Sequence, residues 1–463
     1  MFLFKPMVAT VALGALTACT AVGPDFVAPK ANLSARFAFA PDDALRQAAA
    51  SDWWHAFRDA QLDALVQRGL AQNLSIKGAQ ARIRESEALL RAAGVNSAVS
   101  GDLVASATAT RTSGVPLTTN SSAVFAPAFL VDLFGGQARA RQQAGAELAA
   151  AVYDKATARL GIQLAIVTAY LDLRLAEHAL AVQQRAVSNR AEVVKNLKLR
   201  REVADVSQVE VRRAEAELAT ARAELPNQIA AQRIAILALS TLLAEDAGTV
   251  KSMVRKSQGI PVPRNGVRPG VPAELLRNRP DIRASESRYA AAVAAVGVAE
   301  ADLYPSLRLG GSVTASSTDS VVFGPALTIP LLNRPTLAAR RDAAKARVDQ
   351  AHLTWQQTVL GALEEVQTAL VRLEQADHRV VALGRAETTY RDAERLSGEA
   401  YDLDAITLLD LLDTQANLTS TQLQLAAARR AYGVAWAQLS VGIGQGWFVE
   451  EPLKETVQTA ATQ

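Results

Sequence analysis

The pattern of apolar and polar positions recurs in the two halves of this chain. Residues 125–134 and 323–332 lie 198 positions apart, and both read F-x-P-A-[F/L]-x-[V/I]-x-L-[F/L]. Bulky apolar residues take alternate positions in both stretches, which is typical of a β-strand with one apolar face. A second alternating run precedes each stretch, at 103–109 and 307–316. The pattern therefore predicts two hairpins, at about 99–133 and about 305–332.

Long segments without proline follow each predicted hairpin. Residues 137–200 are rich in Ala, Leu, Arg, Glu and Gln, and their Leu and Val residues recur at helical spacing. Such a helix would be roughly 95 Å long at 1.5 Å per residue. A helix of this length is normally stabilised by packing side by side in a coiled coil or bundle.

Each rod is predicted to turn back on itself at a helix cap. Ser207 and Glu210 have the S-x-x-E form of a capping box, and Thr407 and Asp410 stand 200 residues later with Asp in place of Glu. A second helix then runs antiparallel to the first, and Pro226 is expected to kink the earlier copy. The same apolar register follows both caps, at Leu218, Leu225 and Leu239 and again at Leu418, Leu425 and Leu439.

Charge is almost absent from the second predicted hairpin, which therefore needs either a core over it or a membrane around it. Residues 303–332 carry only Arg308 and Asp319 as charges in a chain that is 21% charged. Two strands alone are unstable in water, and open sheet edges are not tolerated in lipid. Four strands cannot close a barrel, so copies of the chain must combine: two copies would supply eight strands and three would supply twelve. The predicted fold class is mainly α with membrane β, internally duplicated.

The N-terminus resembles that of a bacterial lipoprotein. A short apolar stretch ends in Leu16-Thr17-Ala18-Cys19, which has the form of a lipobox, and Cys19 is the only cysteine of the chain. We expect Cys19 to carry an N-acyl group and a diacylglycerol; the alternative is a cleaved secretory signal with an incidental cysteine. The predicted organisation is a signal peptide (1–18), a lipidated tether (19–51), a first repeat (52–258), a linker (259–278), a second repeat (279–447) and a polar tail (448–463).

Candidate chemistry elsewhere is sparse. The net charge of +3 is spread along the chain, which gives no support to a nucleic-acid partner. The four histidines are scattered without metal-ligand spacing, and no phosphate-binding loop or nucleophile elbow occurs, so neither a metal site nor an enzyme is expected.

The motifs and their order resemble those of the TolC-like outer-membrane factors, and more closely the NodT-type lipoprotein branch that serves RND efflux pumps. The stretches that carry the resemblance are Cys19-Thr20, Val22-Gly23-Pro24-Asp25-Phe26, Trp53-Trp54, Val131-Asp132-Leu133-Phe134-Gly135, Arg279-Pro280-Asp281-Ile282-Arg283, Tyr304-Pro305-Ser306-Leu307 and Asp410-Leu411-Leu412-Asp413. The resemblance implies a lipid-anchored homotrimer in the outer membrane, with a 12-stranded β-barrel, a long periplasmic α-helical barrel and a mixed equatorial domain. It also implies an inner-membrane RND transporter and a periplasmic adaptor as partners, and drugs or other small toxic compounds as cargo, with no cofactor besides the lipid.

The same resemblance assigns a gate to the periplasmic end of the helices. In that family the carboxylates of the D-x-x-D motif, here Asp410 and Asp413, point into the narrowed aperture, and Tyr401 matches a latch residue. The other interpretation of Asp410 is a helix cap alone, and Glu210 is expected to be only a cap.

Three positions depart from the family pattern. Val99-Ser100 stands where the family usually has Pro-Ser, and Ala204 and Asp404 stand where it commonly has glycine at the helical turns. If those turns require a positive φ, Ala204 carries a steric cost that Asp404 partly avoids.

Two rival functions remain open at this point. The same fold serves type I secretion of polypeptides, and a lipoprotein scaffold of coiled-coil hairpins would need no pore. The sequence does not specify the exported compound.

Overall fold

The structure is a computed structural model that describes residues 21–31, 33–34, 37, 52–95, 99–114, 116–203, 205–254, 259–264, 272, 274–275 and 279–447. Cys19 and Ala204, for which the sequence predicts lipidation and a turn, lie outside the described residues, as does the tail 448–463.

The first repeat begins with a 3₁₀ turn, Trp53–Phe57, and two helices separated at Asn73. These are α1 (Ala60–Gln72) and α2 (Leu74–Val95). The hairpin β1 (Val99–Thr110) and β2 (Thr118–Val131) leads into the 67-residue helix α3 (Gly136–Glu202). The chain then returns through α4 (Gln208–Ala223), α5 (Leu225–Leu243) and α6 (Ala247–Met253). The helix is interrupted at Glu224, between α4 and α5, two residues before Pro226, where the sequence predicts a kink. The proline ring cannot continue the backbone hydrogen bonds of a helix.

The second repeat follows the same order. It consists of α7 (Pro280–Ala301), the hairpin β3 (Ser306–Ala315) and β4 (Ser320–Thr328), the 69-residue helix α8 (Arg334–Asp402) and α9 (Leu408–Gly442). Helix α9 starts 200 residues after α4 and remains continuous where the first repeat breaks, since Ala426 replaces Pro226 at the matching position. The predicted internal duplication is therefore present in the helices and in the strands.

All four strands form one antiparallel sheet in the order β1-β2-β3-β4. The pairing of β2 with β3 joins the two hairpins, for example at Phe125 with Val313 and Phe129 with Leu309. Cross-strand partners in an antiparallel sheet point to the same side. Register thus places most of the bulky apolar residues on one face. Those exposed there in the single chain are Leu103, Phe125, Phe129, Leu309, Val313, Val321, Phe323 and Leu327.

The opposite face holds both charged residues of the strands, Asp102 and Arg308. It also carries Ser106 and Ser122, whose hydroxyls lie 3.0 Å apart across the β1–β2 pair. The sheet is therefore two-sided, with an apolar face and a mainly small and polar face.

The strand ends differ from the prediction. We expected Leu133, Ile329 and Leu331 to continue the alternation, but β2 ends at Val131 and β4 ends at Thr328. Pro330 has no N–H to donate to a ladder. After β2, the Asp132 carboxylate accepts from the amides of Gln137 and Ala138 at 3.0 Å each, so this residue starts helix α3 and does not extend the strand.

The main core lies midway along the long helices. The aromatic residues Trp53, Trp54 and Phe57 are buried there against Tyr170 of α3 and Trp436 of α9. A second cluster around Ile282, Trp355, Val359, Val366 and Leu439 joins α7, α8 and α9. Within the described residues, none of the helices has both the length and the apolar composition that crossing a membrane requires.

Candidate functional site

The candidate site is the pair of turns at which α3 passes into α4 and α8 passes into α9. Both turns end in a capping box, as predicted. The amide of Glu210 donates to the Ser207 hydroxyl at 3.2 Å, and the Ser207 amide donates to the Glu210 carboxylate at 2.7 Å. Asp410 and Thr407 repeat this exchange at 3.3 and 3.0 Å. The caps satisfy backbone donors at the helix start that have no partner within the helix.

The backbone closes both turns in the same way. Asp205 donates its amide to the carbonyl of Arg200 at 3.0 Å, and Ala405 donates to Ala400 at 2.8 Å. A bond between residues five apart is the wide hydrogen bond of a Schellman-type helix end, which needs a residue with positive φ. Asp404 supplies it with a φ of 54°, so the second turn keeps the left-handed geometry expected of the family's glycine. Asp tolerates this region better than most residues with a side chain.

Arg200 connects the two turns. Its guanidinium bonds the carboxylate of Asp205 in its own turn, and its Nη2 donates to the Asp404 carboxylate of the other repeat at 3.0 Å. These hydrogen bonds raise the pKa of the Arg200 guanidinium, because both carboxylates favour its charged form. Asp404 is 76% exposed, so the link lies at the surface of the tip, where the attraction of opposite charges is screened by water.

Tyr401 packs beside this link. Its ring faces the Arg200 guanidinium at 5.8 Å. It also lies against a buried apolar cluster in which Leu197 and Val206 of the first repeat meet Leu412 of α9. Burial raises the pKa of the Tyr401 phenol, and the nearby Arg200 charge partly opposes the shift. The second repeat therefore contacts the first at the tip through both the ring of Tyr401 and the carboxylate of Asp404.

Asp410 and Asp413 lie one turn apart on α9, and both are exposed in the single chain. The Asp410 carboxylate turns back to Thr407, whose hydroxyl donates at 2.6 Å, and these hydrogen bonds lower the pKa of Asp410. Asp410 is therefore a cap in this structure, and it retains an exposed negative charge beside that of Asp413. The buried neighbours Leu411 and Leu412 fix the face of α9 from which Asp410 and Asp413 project.

Arg200 was not singled out from the sequence. Its partner Asp404 is 204 positions away, and no local spacing rule connects such a pair. The available signal is the duplication itself, because aligning the repeats places Arg200 opposite Ala400, one residue before Tyr401. No group of His, Cys, Asp and Glu suited to hold a metal ion occurs among the residues that the structure describes.

Comparisons with known proteins agree with this architecture. Residues 271–445 match the family model described as "Outer membrane efflux protein". The chain is 32% identical over 447 residues to Nodulation protein T of Rhizobium leguminosarum bv. trifolii, which covers 93% of this chain and 95% of that protein. It is 28% identical over 417 residues to the pyoverdine export outer membrane protein OpmQ of Pseudomonas aeruginosa, covering 85% of this chain and 87% of that one. Among solved structures, the outer-membrane channel OprN superposes with a TM-score of 0.83 at 28% identity, over 92% of this chain and all of that chain.

Proposed function

Since the chain belongs to the outer membrane efflux protein family and is an outer-membrane efflux channel, not an enzyme, we propose that it is the exit duct of a tripartite RND-type pump. In this role it passes drugs or other small toxic compounds from the periplasm to the outside. The export of pyoverdine named for the Pseudomonas aeruginosa relative supports a small-molecule cargo over a polypeptide.

The observation that carries the proposal is the two-sided sheet. Its apolar face is exposed along all four strands, and the charged residues Asp102 and Arg308 lie on the other face. An exposed apolar surface that extends across four strands is unfavourable in water and favourable against lipid. Within the described residues, β1 and β4 each have one edge without a neighbouring strand. Three copies joined edge to edge give the 12-stranded barrel of a homotrimer, and α3, α8 and their returning helices continue it as a periplasmic tube.

The proposed gate is the tip of that tube. Three copies of Asp410 and Asp413 place six carboxylates around one axis, which attract cations and repel anions. Arg200, Asp404 and Tyr401 hold the turns of the two repeats together, and opening separates them as rigid helices. The periplasmic adaptor and the inner-membrane transporter engage this end of the molecule. The proposed lipid on Cys19 anchors the channel in the outer-membrane leaflet that faces the periplasm.

Planar-bilayer recording of the purified protein tests the proposal. We expect a trimer by mass and discrete, cation-selective conductance steps. The double variant with Asp410→Ala and Asp413→Ala should lose much of the cation selectivity, while Glu210→Ala, the matching cap of the first repeat, should retain it. A monomer without conductance would favour the scaffold function, and conductance that keeps its selectivity in the double variant would refute the gate. Deleting the gene in its native strain should increase drug susceptibility; a defect confined to polypeptide secretion would instead support the type I system.

A further inference from the structure

The V-G-P-D-F stretch that follows Cys19 in the sequence is bound to the body of the protein. Residues 21–26 cross the first turns of α3 and lie along α7. The Val22 amide donates to the carbonyl of Phe134 at 3.0 Å. Phe134 lies between β2 and α3, and its ring stacks at 4.6 Å on Tyr304, just before β3. The segment is therefore attached at the point where the strands of both repeats meet the helices.

Arg139 holds the segment. Its side chain is only 6% exposed, although it carries a full charge. The guanidinium donates to the carbonyl of Val22 at 3.1 Å and to that of Gly23 at 3.2 Å, and it pairs with the Asp25 carboxylate at 2.8 Å. The side-chain oxygen of Gln142 accepts a further hydrogen bond from it at 3.0 Å. A buried guanidinium needs such partners, and here three of the four come from residues 22–25.

Glycines make the close approach possible. Gly23 has a φ of 89°, and a Cβ on it would lie 2.5 Å from the Cα of Gly297 in α7. A Cβ on Gly297 would lie 2.7 Å from the Arg139 side chain, and one on Gly135 would lie 2.4 Å from Ala21. A side chain at any of these positions would displace the segment or Arg139.

Phe26 completes the contact with the second repeat. Its ring meets that of Tyr289 in α7 edge to face, with centroids 5.6 Å apart. The bound segment thus touches α3 of one repeat and α7 of the other.

We propose that residues 21–26 are an intramolecular docking segment, with Arg139 as its positioning residue, which ties the two repeats together at the junction of sheet and helices. Docking also fixes where the mature N-terminus leaves the protein. Ala21 lies beside Gly135, just after the end of β2, and Cys19 precedes Ala21 by two positions in the sequence. The statement about Cys19 rests on the proposed lipidation, whereas the docking does not. A lipid attached there would be held at a defined height relative to the strands.

Limited proteolysis of the full-length protein in detergent measures the docking. Phe26 is 38% exposed in the docked segment, but its backbone is held against α3 and α7, and a protease needs several residues around the cleaved bond in an extended, free form. Cleavage after Phe26 is therefore expected to be slow while the segment is docked and to rise with the population of the detached form. Cleavage at Leu117, which is 61% exposed in the β1–β2 connection, serves as the reference. We expect Arg139→Gln to accelerate cleavage at Phe26 by about tenfold, the effect of losing hydrogen bonds to a charged group. Arg139→Lys should be intermediate. Arg141→Gln, an exposed arginine on the same helix, should match the wild type.

Arg139→Gln could destabilise the whole fold, in which case cleavage at Leu117 would accelerate as well. A second variant distinguishes this from detachment of the segment alone. Asp25 is 87% exposed, so Asp25→Asn alters the segment alone, and it should accelerate cleavage at Phe26 without changing the reference. Wild-type rates in both variants, or an equal rise in Arg141→Gln, would overturn the proposal. Palmitate labelling separates it from the proposed anchor: unlabelled protein with slow cleavage at Phe26 refutes the lipid and supports the docking. Cys19→Ser should retain slow cleavage, and rapid cleavage there would refute a docking site built by the chain itself.

Discussion

Arg200 and Asp404 form an ion pair of 3.0 Å between the two helical turns of one chain, although 204 positions separate them in the sequence. The pair is exposed, so its contribution to the free energy of unfolding is small, on the order of 1 kcal/mol or less. Its position matters more than its strength, because it joins the ends of two helices about 100 Å long. A weak ion pair between the ends of two long helices can shift the equilibrium between the closed and open arrangements of these ends. It need not change the free energy of unfolding of the whole protein.

Arg200→Gln is therefore expected to increase single-channel conductance, or the time spent in the larger conductance state, with little change in thermal stability. Planar-bilayer recording and a thermal unfolding curve on the same preparation measure the two effects. Arg212→Gln is the matched control, since Arg212 is an exposed arginine of α4 that pairs with Glu215 one turn away on the same helix. Equal conductance for Arg200→Gln and wild type would remove Arg200 from the gate.

The pH dependence of selectivity should report the cap at Asp410. Thr407 lowers the pKa of this carboxyl below its ordinary value of 3.8, so Asp410 stays charged to a lower pH than an isolated Asp. The stabilisation by the cap is present above the unfolded pKa and is lost as the pH falls through the folded pKa. Thr407→Val removes the hydroxyl donor, raises the pKa, and should shift the acid loss of cation selectivity to higher pH. Reversal potentials between pH 3 and pH 7 measure the shift, with Ser207→Ala as the control in the first repeat. An unchanged profile in Thr407→Val would mean that Asp410 does not contribute to selectivity.

Much of the fold could be predicted because its signals are local and occur twice. Three kinds of signal are read from residues close together in the sequence: the period-two runs, the helical spacing in the segments without proline, and the capping boxes at Ser207 and Thr407. Each signal occurs in both repeats, so the prediction for one repeat supports the prediction for the other. Strand ends were less predictable. Asp132 caps α3 directly after β2, and β4 ends at Thr328, which pairs with Ser306, the first residue of β3, while the apolar alternation continues past both ends.

The contacts that join the repeats could not be predicted in the same way. Arg200 with Asp404 and Arg139 with Asp25 are pairs of common surface residue types, and neither spacing nor composition distinguishes them from other charges. The first pair arises because the fold places one repeat against the other, and the second because it places the N-terminal segment against the first repeat. Both contacts depend on tertiary packing. Arg279 is an intermediate case: its motif was visible in the sequence, but its partners in α8 and α9 were not.

Arg279→Gln should destabilise the protein strongly. The Arg279 side chain is 10% exposed and pairs with Asp281 at 2.6 Å and with Glu365 of α8 at 2.7 Å. It also donates to the carbonyl of Gly442 at the end of α9, at 3.1 Å. Glu365 is 64% exposed, so water screens that ion pair, and the main cost comes from leaving the Asp281 carboxylate and the Gly442 carbonyl without their charged donor, about 1–3 kcal/mol. Denaturant unfolding should show a loss of this order, and Arg283→Gln, which removes a more exposed arginine paired with Glu286 one turn away, should lose far less. Similar losses in the two variants would mean that the Arg279 contacts do not carry the stability of this junction.

The two faces of the sheet can be tested with one pair of neighbouring residues on β3. Val313 lies on the apolar face opposite Phe125, and Ser312 lies on the other face opposite Val322 of β4. Val313→Arg would place a charge against lipid, at a cost of about 2–4 kcal/mol near the bilayer midplane. Ser312→Arg introduces the same side chain at the adjacent position, where it faces the side that already holds Arg308. Outer-membrane fractionation should therefore show a strong loss of assembled trimer for Val313→Arg and near-normal assembly for Ser312→Arg. The two variants carry the same new side chain at neighbouring positions. If Ser312→Arg lost the assembled trimer and Val313→Arg kept it, the polar face, and not the apolar one, would meet the membrane.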